Sequence, residues 1–233
     1  MRPIVRGLIA SLLSNSLVAL LLLIVLMVFV LPFLSTQNSL VGRIIQDLLF
    51  ALVLLNGLIL LMDRHKGLIL TPVALVALLA IGVRGIGWLF PDSFTVEIRE
   101  GTTLLALALI SVATAMKVFA SGVVTLDRIS GAVALYVLMG TVWAEAYQLV
   151  ILNHPGAFSG STLAETTSDR SIWIYFSFVT LTTVGYGDIV PVAPAARSLA
   201  NLEALIGQLY PAIVLARLVS LQVPRASSDP NKP

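Results

Sequence analysis

The chain has 233 residues, 58% of them hydrophobic and 11% charged, with a formal net charge of +2. This composition lies far outside the soluble globular range and marks a polytopic membrane protein, with almost nothing left for a soluble domain once the apolar runs are removed. The absence of cysteine excludes disulfides, metal thiolates and thiol nucleophiles, the small net charge gives no argument for nucleic acid, and His65 and His154 fall in loops on opposite sides, against a metal site.

In chain order, Arg2 and Arg6 precede an apolar run over 7–34. That run is too long for the ~7–15-residue core of a cleavable signal, so it reads as a first membrane span with its amino end in the cytoplasm. Runs over 44–62, 68–90, 102–124 and 129–153 follow, each near the ~20 residues that cross a hydrocarbon core, and a last one covers 196–221. Between the fifth and sixth spans lie a polar stretch, 154–169, and a segment, 170–182, too short to span. It reads as a re-entrant helix with Ser168 as its N-cap. Its carboxyl end carries a partial negative charge toward the membrane centre. The expected fold is therefore an all-α polytopic membrane protein with six transmembrane helices and a re-entrant helix before the last. Its divisions are a four-helix amino-terminal domain over 1–128, a second unit over 129–222 and a short cytoplasmic tail over 223–233.

Basic residues give the orientation. With the amino end inside, Arg2, Arg6, Arg64, Lys66, Arg128, Arg217, Arg225 and Lys232 are cytoplasmic, against Arg43, Arg99, Arg170 and Arg197 outside, the bias expected of cytoplasmic loops. Charges within the spans need partners. Asp47 and Arg84 fall at similar outer depths and are expected to pair, while Lys117 near the inner surface is expected to snorkel or to meet Asp63.

From Thr180 to Asp188 the chain reads Thr-Leu-Thr-Thr-Val-Gly-Tyr-Gly-Asp. A cation crossing a bilayer must exchange its water for oxygens that cost little to reach and to leave, and backbone carbonyls with a threonine hydroxyl supply them. A strand points successive carbonyls to opposite sides; lining them up on one axis needs conformations that a side chain resists, which Gly185 and Gly187 can adopt. Thr183 offers hydroxyl and carbonyl, and Val184, Gly185 and Tyr186 offer carbonyls, with the Val184 and Tyr186 side chains turned into surrounding protein.

The Thr183–Asp188 string is the signature of potassium channels, and 129–221 resembles their outer helix, pore helix, selectivity filter and inner helix. The preceding part resembles the four extra helices of the six-transmembrane subfamily in topology only. The resemblance implies a homotetramer in the plasma membrane that passes K+ over Thr183, Val184, Gly185 and Tyr186, with Gly187 completing the filter and Asp188 at its outer mouth. It puts Tyr175 and Phe176 where the family keeps two aromatic buttresses, commonly tryptophans: Tyr175 can donate to Asp188, but Phe176 cannot donate to Tyr186. Val179 stands where some members keep an acid. Gly207, with Pro211 after it, falls at the inner-helix hinge, and Gln208, Pro211 and Leu215 fall on the face that lines the cavity. The fourth span carries Lys117 and no series of basic residues, so the channel is expected to be voltage-insensitive; the tail is too short for a ligand-binding domain.

Glu145 and Glu203 both lie about seven residues below the outer boundary, roughly 10 Å deep. That is the level of the re-entrant helix, whose Ser177 and Thr180 can donate, and at least one of the two acids is expected to brace the filter from behind; the alternative is an acid that snorkels to the lipid interface. Competing readings of the whole chain are a non-conducting regulatory subunit and a transporter component. No nucleophile and base are paired for catalysis, no cofactor is implied beyond the permeant ion, and no cytoplasmic regulator is identified.

Overall fold

A computed structural model describes residues 16–30, 40–62, 70–89, 93–120, 125–160 and 170–222. The expected N-cap Ser168, the partner Asp63, the basic residues Arg2, Arg6, Arg64, Lys66, Arg225 and Lys232, and the first residues of the first span lie outside them.

The described helices are α1, Ser16–Val25, widening into a π-helical turn over Leu26–Val30; α2, Leu40–Met62; α3, Leu70–Leu89; α4, Ser93–Val118; α5, Leu126–Asn153; α6, Arg170–Leu181; and α7, Pro194–Gln222. By length and composition, Val96–Val118, Leu126–Asn153 and Pro194–Arg217 can cross a membrane, and Ser16–Val30, Ile44–Leu60 and Val73–Gly87 are shorter apolar helices.

Helices α1 to α4 share one apolar core with α5. Leu17, Leu20 and Ile24 of α1, Phe50, Val53 and Leu54 of α2, Ala77 and Ala80 of α3, and Leu107 and Ile110 of α4 meet Ala134 and Leu138 of α5. Both α1 and α4 thus pack on the α5 of their own chain. A second core joins α5, α6 and α7 through Ala144, Tyr147, Trp173, Phe176, Ala196 and Ala200.

The fourth helix departs from its expected bounds at both ends. It begins at Ser93, nine residues before the expected 102, because the polar turn that hydropathy excludes is internally paired: Arg99 donates to Glu100, and the Thr102 and Thr103 hydroxyls bond back to Ile98 O and Arg99 O. It ends at Val118, short of the expected 124, where the Arg128 guanidinium reaches the Ala120 carbonyl. Thr125 caps α5 by accepting from Arg128 N–H (3.3 Å).

At this end the Leu17 and Val18 N–H groups of α1 donate to Asp127 Oδ1 of α5 (3.1 and 3.3 Å), which supplies the acceptor and negative charge that a helix amino end favours. Lys117 donates to Ser16 Oγ (2.7 Å). The expected Asp47–Arg84 pair forms, Nη1 to Oδ1 2.5 Å.

Candidate functional site

Trp173, Phe176, Ser177 and Leu181 make one buried face of α6, spaced as a helix stripe. The opposite end of the helix opens into the Thr183–Asp188 loop. Its amides turn back on the helix: Thr182 N–H donates to Phe178 O (3.0 Å), Thr183 N–H to Thr180 O (2.9 Å), and Val184 and Gly185 N–H both to Val179 O (2.9 and 3.3 Å). Among the described residues, the carbonyls of Thr183, Val184, Gly185 and Tyr186 accept no backbone hydrogen bond.

Backbone sign alternates along the loop. Thr183 has φ +59°, Gly185 +57° and Gly187 +79°, while Val184 and Tyr186 between them stay on the negative side. This alternation turns successive carbonyls the same way, where a strand would oppose them. For β-branched Thr183 the left-handed region costs roughly 1–2 kcal/mol, the kind of local strain that gathers at functional positions. Val184 and Tyr186 are 53% and 70% exposed on the single chain.

Asp188 uses both carboxylate oxygens: Tyr175 OH donates to Oδ2 (2.8 Å) and Ile189 N–H to Oδ1 (3.1 Å). The Tyr175 ring also stacks on Tyr186, centroids 6.4 Å apart and planes nearly parallel. Phe176 instead packs into the buried aromatic set, 4.8 Å from Tyr147 and 5.4 Å from Phe158.

Residues 154–169, expected as a polar connection, include a strand. β1, Phe158–Gly160, pairs antiparallel with β2, Ile189–Pro191, in the register Phe158↔Pro191 and Gly160↔Ile189. Phe158 is buried in the aromatic set and pins the ribbon, while Val192 and Ala193 N–H both donate to Ala157 O. The segment leaving Asp188 is therefore clamped.

Behind the loop, Glu203 of α7 is fully buried. Tyr147 OH of α5 donates to Glu203 Oε2 (2.5 Å), and Ser177 Oγ of α6 lies 2.5 Å from Glu203 Oε1 and 2.7 Å from Gly140 O. The Ser177 hydroxyl has one hydrogen to give to these two acceptors. Thr180, the other candidate donor, bonds its own helix at Phe176 O (2.8 Å). Glu145, equally buried, does not reach Ser177 or Thr180; it pairs with Arg170, the first residue of α6.

Gly207 is in contact with α6: a Cβ there would collide with the Leu181 carbonyl oxygen. Tyr136 OH of α5 donates to that same carbonyl (3.3 Å) and stacks on Tyr210, whose hydroxyl donates to Ala132 O (2.7 Å). Helix α7 runs unbroken past Gly207 and Pro211, with Gln208, Pro211 and Leu215 exposed. Sequence reasoning missed Tyr147, Tyr136, Arg170 and the ribbon. The available signal was that a buried acid needs a donor or a cation at its own depth.

A family model described as "Ion channel" matches residues 131–222. Protein LctB of Bacillus caldotenax is 31% identical over 107 residues, 45% of this chain and 79% of that protein. The two pore potassium channel c of Oryza sativa subsp. japonica is 42% identical over 66 residues, 28% of this chain and 14% of it. The inward rectifier potassium channel Kirbac3.1 of Paramagnetospirillum magnetotacticum is 35% identical over 79 residues, 32% of this chain and 23% of it. No solved structure gives a significant match. With the apolar helices and the Thr183–Asp188 loop, these likenesses identify a multi-pass helical membrane protein that belongs to the potassium-channel family.

Proposed function

We propose that the chain is one subunit of a tetrameric channel that conducts K+ passively and selects it over Na+. The observation that carries this reading is the loop itself: amides consumed by α6, carbonyls of Thr183 to Tyr186 left unengaged, and φ alternating in sign. Four such loops around an axis supply rings of oxygens that replace an ion's hydration, and the neighbouring copies cover the Val184 and Tyr186 side chains that one chain leaves exposed.

In this reading α1 to α5 and α7 cross the plasma membrane with both termini cytoplasmic, and α6 enters from the outer side. Residues 1–128 surround a pore unit over 129–222. The Tyr175–Asp188 bond steadies the outer mouth, Phe176 packs the rear, Glu203 braces α6 through Ser177, and Gln208, Pro211 and Leu215 face the cavity. Gly207 and Pro211 allow α7 to bend below its contact with Leu181. Helix α4 holds Arg99 and Lys117 widely separated, without the regular ladder of cations through which a field of 100 mV acts at about 2.3 kcal/mol per charge, so conduction varies little with voltage.

Purified protein reconstituted alone into liposomes tests the reading. The expected result is K+ uptake well above Na+ uptake from a tetrameric particle; Na+ flux equal to K+ flux, or no flux, overturns it.

A further inference from the structure

Six ionisable side chains meet at one level of the molecule, where α2, α3, α4 and α5 converge on the first residue of α6. Arg84 of α3 pairs with Asp47 of α2, donates through Nη2 to Thr103 Oγ1 of α4 (3.3 Å), and lies 4.2 Å over the Phe50 ring. Arg99 holds Glu100 Oε1 through Nε and Nη2 (2.9 and 2.7 Å). Glu100 is 3% exposed and faces Glu145 of α5, and Glu145 in turn pairs with Arg170. Asp47 and Arg84 reach Arg99 through the Thr103 hydroxyl, which also bonds Arg99 O, so three acids and three guanidinium groups link the α1–α4 bundle to α6.

Cohesion alone does not account for this chain of charges. Ionisable groups at membrane depth are expensive, and apolar residues of similar volume often hold helices together as well as a buried ion pair or better. The bundle already has such an apolar core. The position of Arg170 is itself unfavourable, because a cation at a helix amino end opposes the helix dipole; the buried carboxylate of Glu145 is what fixes it there.

Helix α6 has 12 residues, a rigid rod of roughly 18 Å. Its middle is held at Ser177 by Glu203 and Gly140 O. Leu181, next to the loop, is held by Tyr136 OH and abuts Gly207, while Arg170 seats the far end, so the seating of Arg170 sets the strain this rod carries to the loop.

We propose that Arg170 is a positioning residue through which the α1–α4 bundle sets the tilt of α6 and with it the geometry of Thr183–Gly187; this rests on the reading of that loop as the filter. The bundle then has a task that needs no voltage sensing: it holds the filter in its conducting shape and can release it.

Single-channel recording of the full-length protein in planar bilayers tests the proposal. Wild-type K+ current is the control for the filter reading, and its absence counts against that reading alone. Arg170→Gln is expected to shorten mean open time about tenfold, and Asp47→Asn, at the far end of the chain of charges, about threefold, the range of long-range coupling energies. The double variant is expected to be no worse than Arg170→Gln, because one pathway cannot be cut twice. Exchanging the charges, Glu145→Arg with Arg170→Glu, is expected to recover most of the open time. A merely structural role predicts lower thermal stability with unchanged open times, and that result in either Arg170→Gln or Asp47→Asn overturns the proposal. If Arg170→Gln does not assemble, Arg170→Lys and Asp47→Asn decide it by the same readout.

Discussion

The two faces of α6 are built on opposite plans. On the loop side, Thr182 to Asp188 are exposed on the single chain, and the segment is shaped by amides folded onto the helix end and by Tyr175 at its outer rim. On the rear side, Ser177 is wholly enclosed and meets a carboxyl and a backbone carbonyl from two different helices. At the front, the carbonyls of Thr183 to Tyr186 accept no backbone hydrogen bond among the described residues; at the rear, both Glu203 oxygens and the Ser177 hydroxyl are engaged. Variants on the front are therefore expected to change ion discrimination more than folding, and variants on the rear to change folding and open-state lifetime more than discrimination.

The largest effect is expected at the front. Gly185→Ala or Gly187→Ala puts a Cβ on a residue at φ +57° or +79°, at roughly 1–2 kcal/mol per chain and four times over in the proposed tetramer, so K+-selective flux is expected to vanish while the assembly still elutes as wild type on size exclusion. Gly187→Ala liposomes with a wild-type K+/Na+ ratio would break the comparison.

Next comes Gly207→Ala at the rear. The three atoms nearest the added methyl are all Leu181 backbone, so nothing flexible can yield, and overpacking of this kind costs about 1–3 kcal/mol. A lower thermal midpoint of the purified tetramer is expected, with the ion ratio kept in whatever assembles.

Glu203 sharpens the contrast. Glu203→Ala strands the Tyr147 and Ser177 hydroxyls in a buried space, at about 1–3 kcal/mol, and shortened open times are expected in single-channel records. Glu203→Gln can accept from Tyr147 through its carbonyl and donate to Ser177 through its amide, leaving Ser177 to serve Gly140 O, so near-wild-type behaviour is expected. A glutamine variant as impaired as the alanine one would show that the carboxyl acts as a charge.

The smallest effect belongs to Tyr175→Phe. It removes one hydrogen bond to Asp188, which Ile189 N–H still holds; the expected cost is about 0.5–1.5 kcal/mol, read as faster closure under sustained K+ current with unchanged assembly.

Legibility in the sequence followed the same division. The loop could be read because its chemistry is local: glycine at two alternating places and a threonine before them state the backbone requirement directly. Asp188 with Tyr175 could be paired through the family resemblance, and Asp47 with Arg84 because depth along a span is simple arithmetic. The partner of Glu203 was half legible, since Ser177 is at its depth, but Tyr147 sits on another helix whose rotation no periodicity fixes. Arg170 was read as an outer-side topology charge because hydropathy treats each charge singly, whereas burial here depends on a counter-charge distant in sequence. The β1–β2 ribbon escaped for a similar reason: a polar connection gives no sign that Phe158 will anchor it. Gly207 was read for flexibility alone, and its contact with Leu181 shows a need for space that a glycine in sequence does not distinguish.

That contact divides α7 mechanically. Above it, Glu203 is fastened to α5 and α6, and at Gly207 the helix abuts the end of α6 with no room between backbones. Below it, Tyr210 keeps one tie to α5 at Tyr136 and Ala132 O, but Pro211 cannot bond to the Gly207 carbonyl, and Pro211, Ile213 and Leu215 are exposed on the single chain. The half of the helix above Gly207 is thus a fixed bearing, and the part beyond Tyr210 is an arm that can bend at Pro211 without loosening a contact behind Thr183.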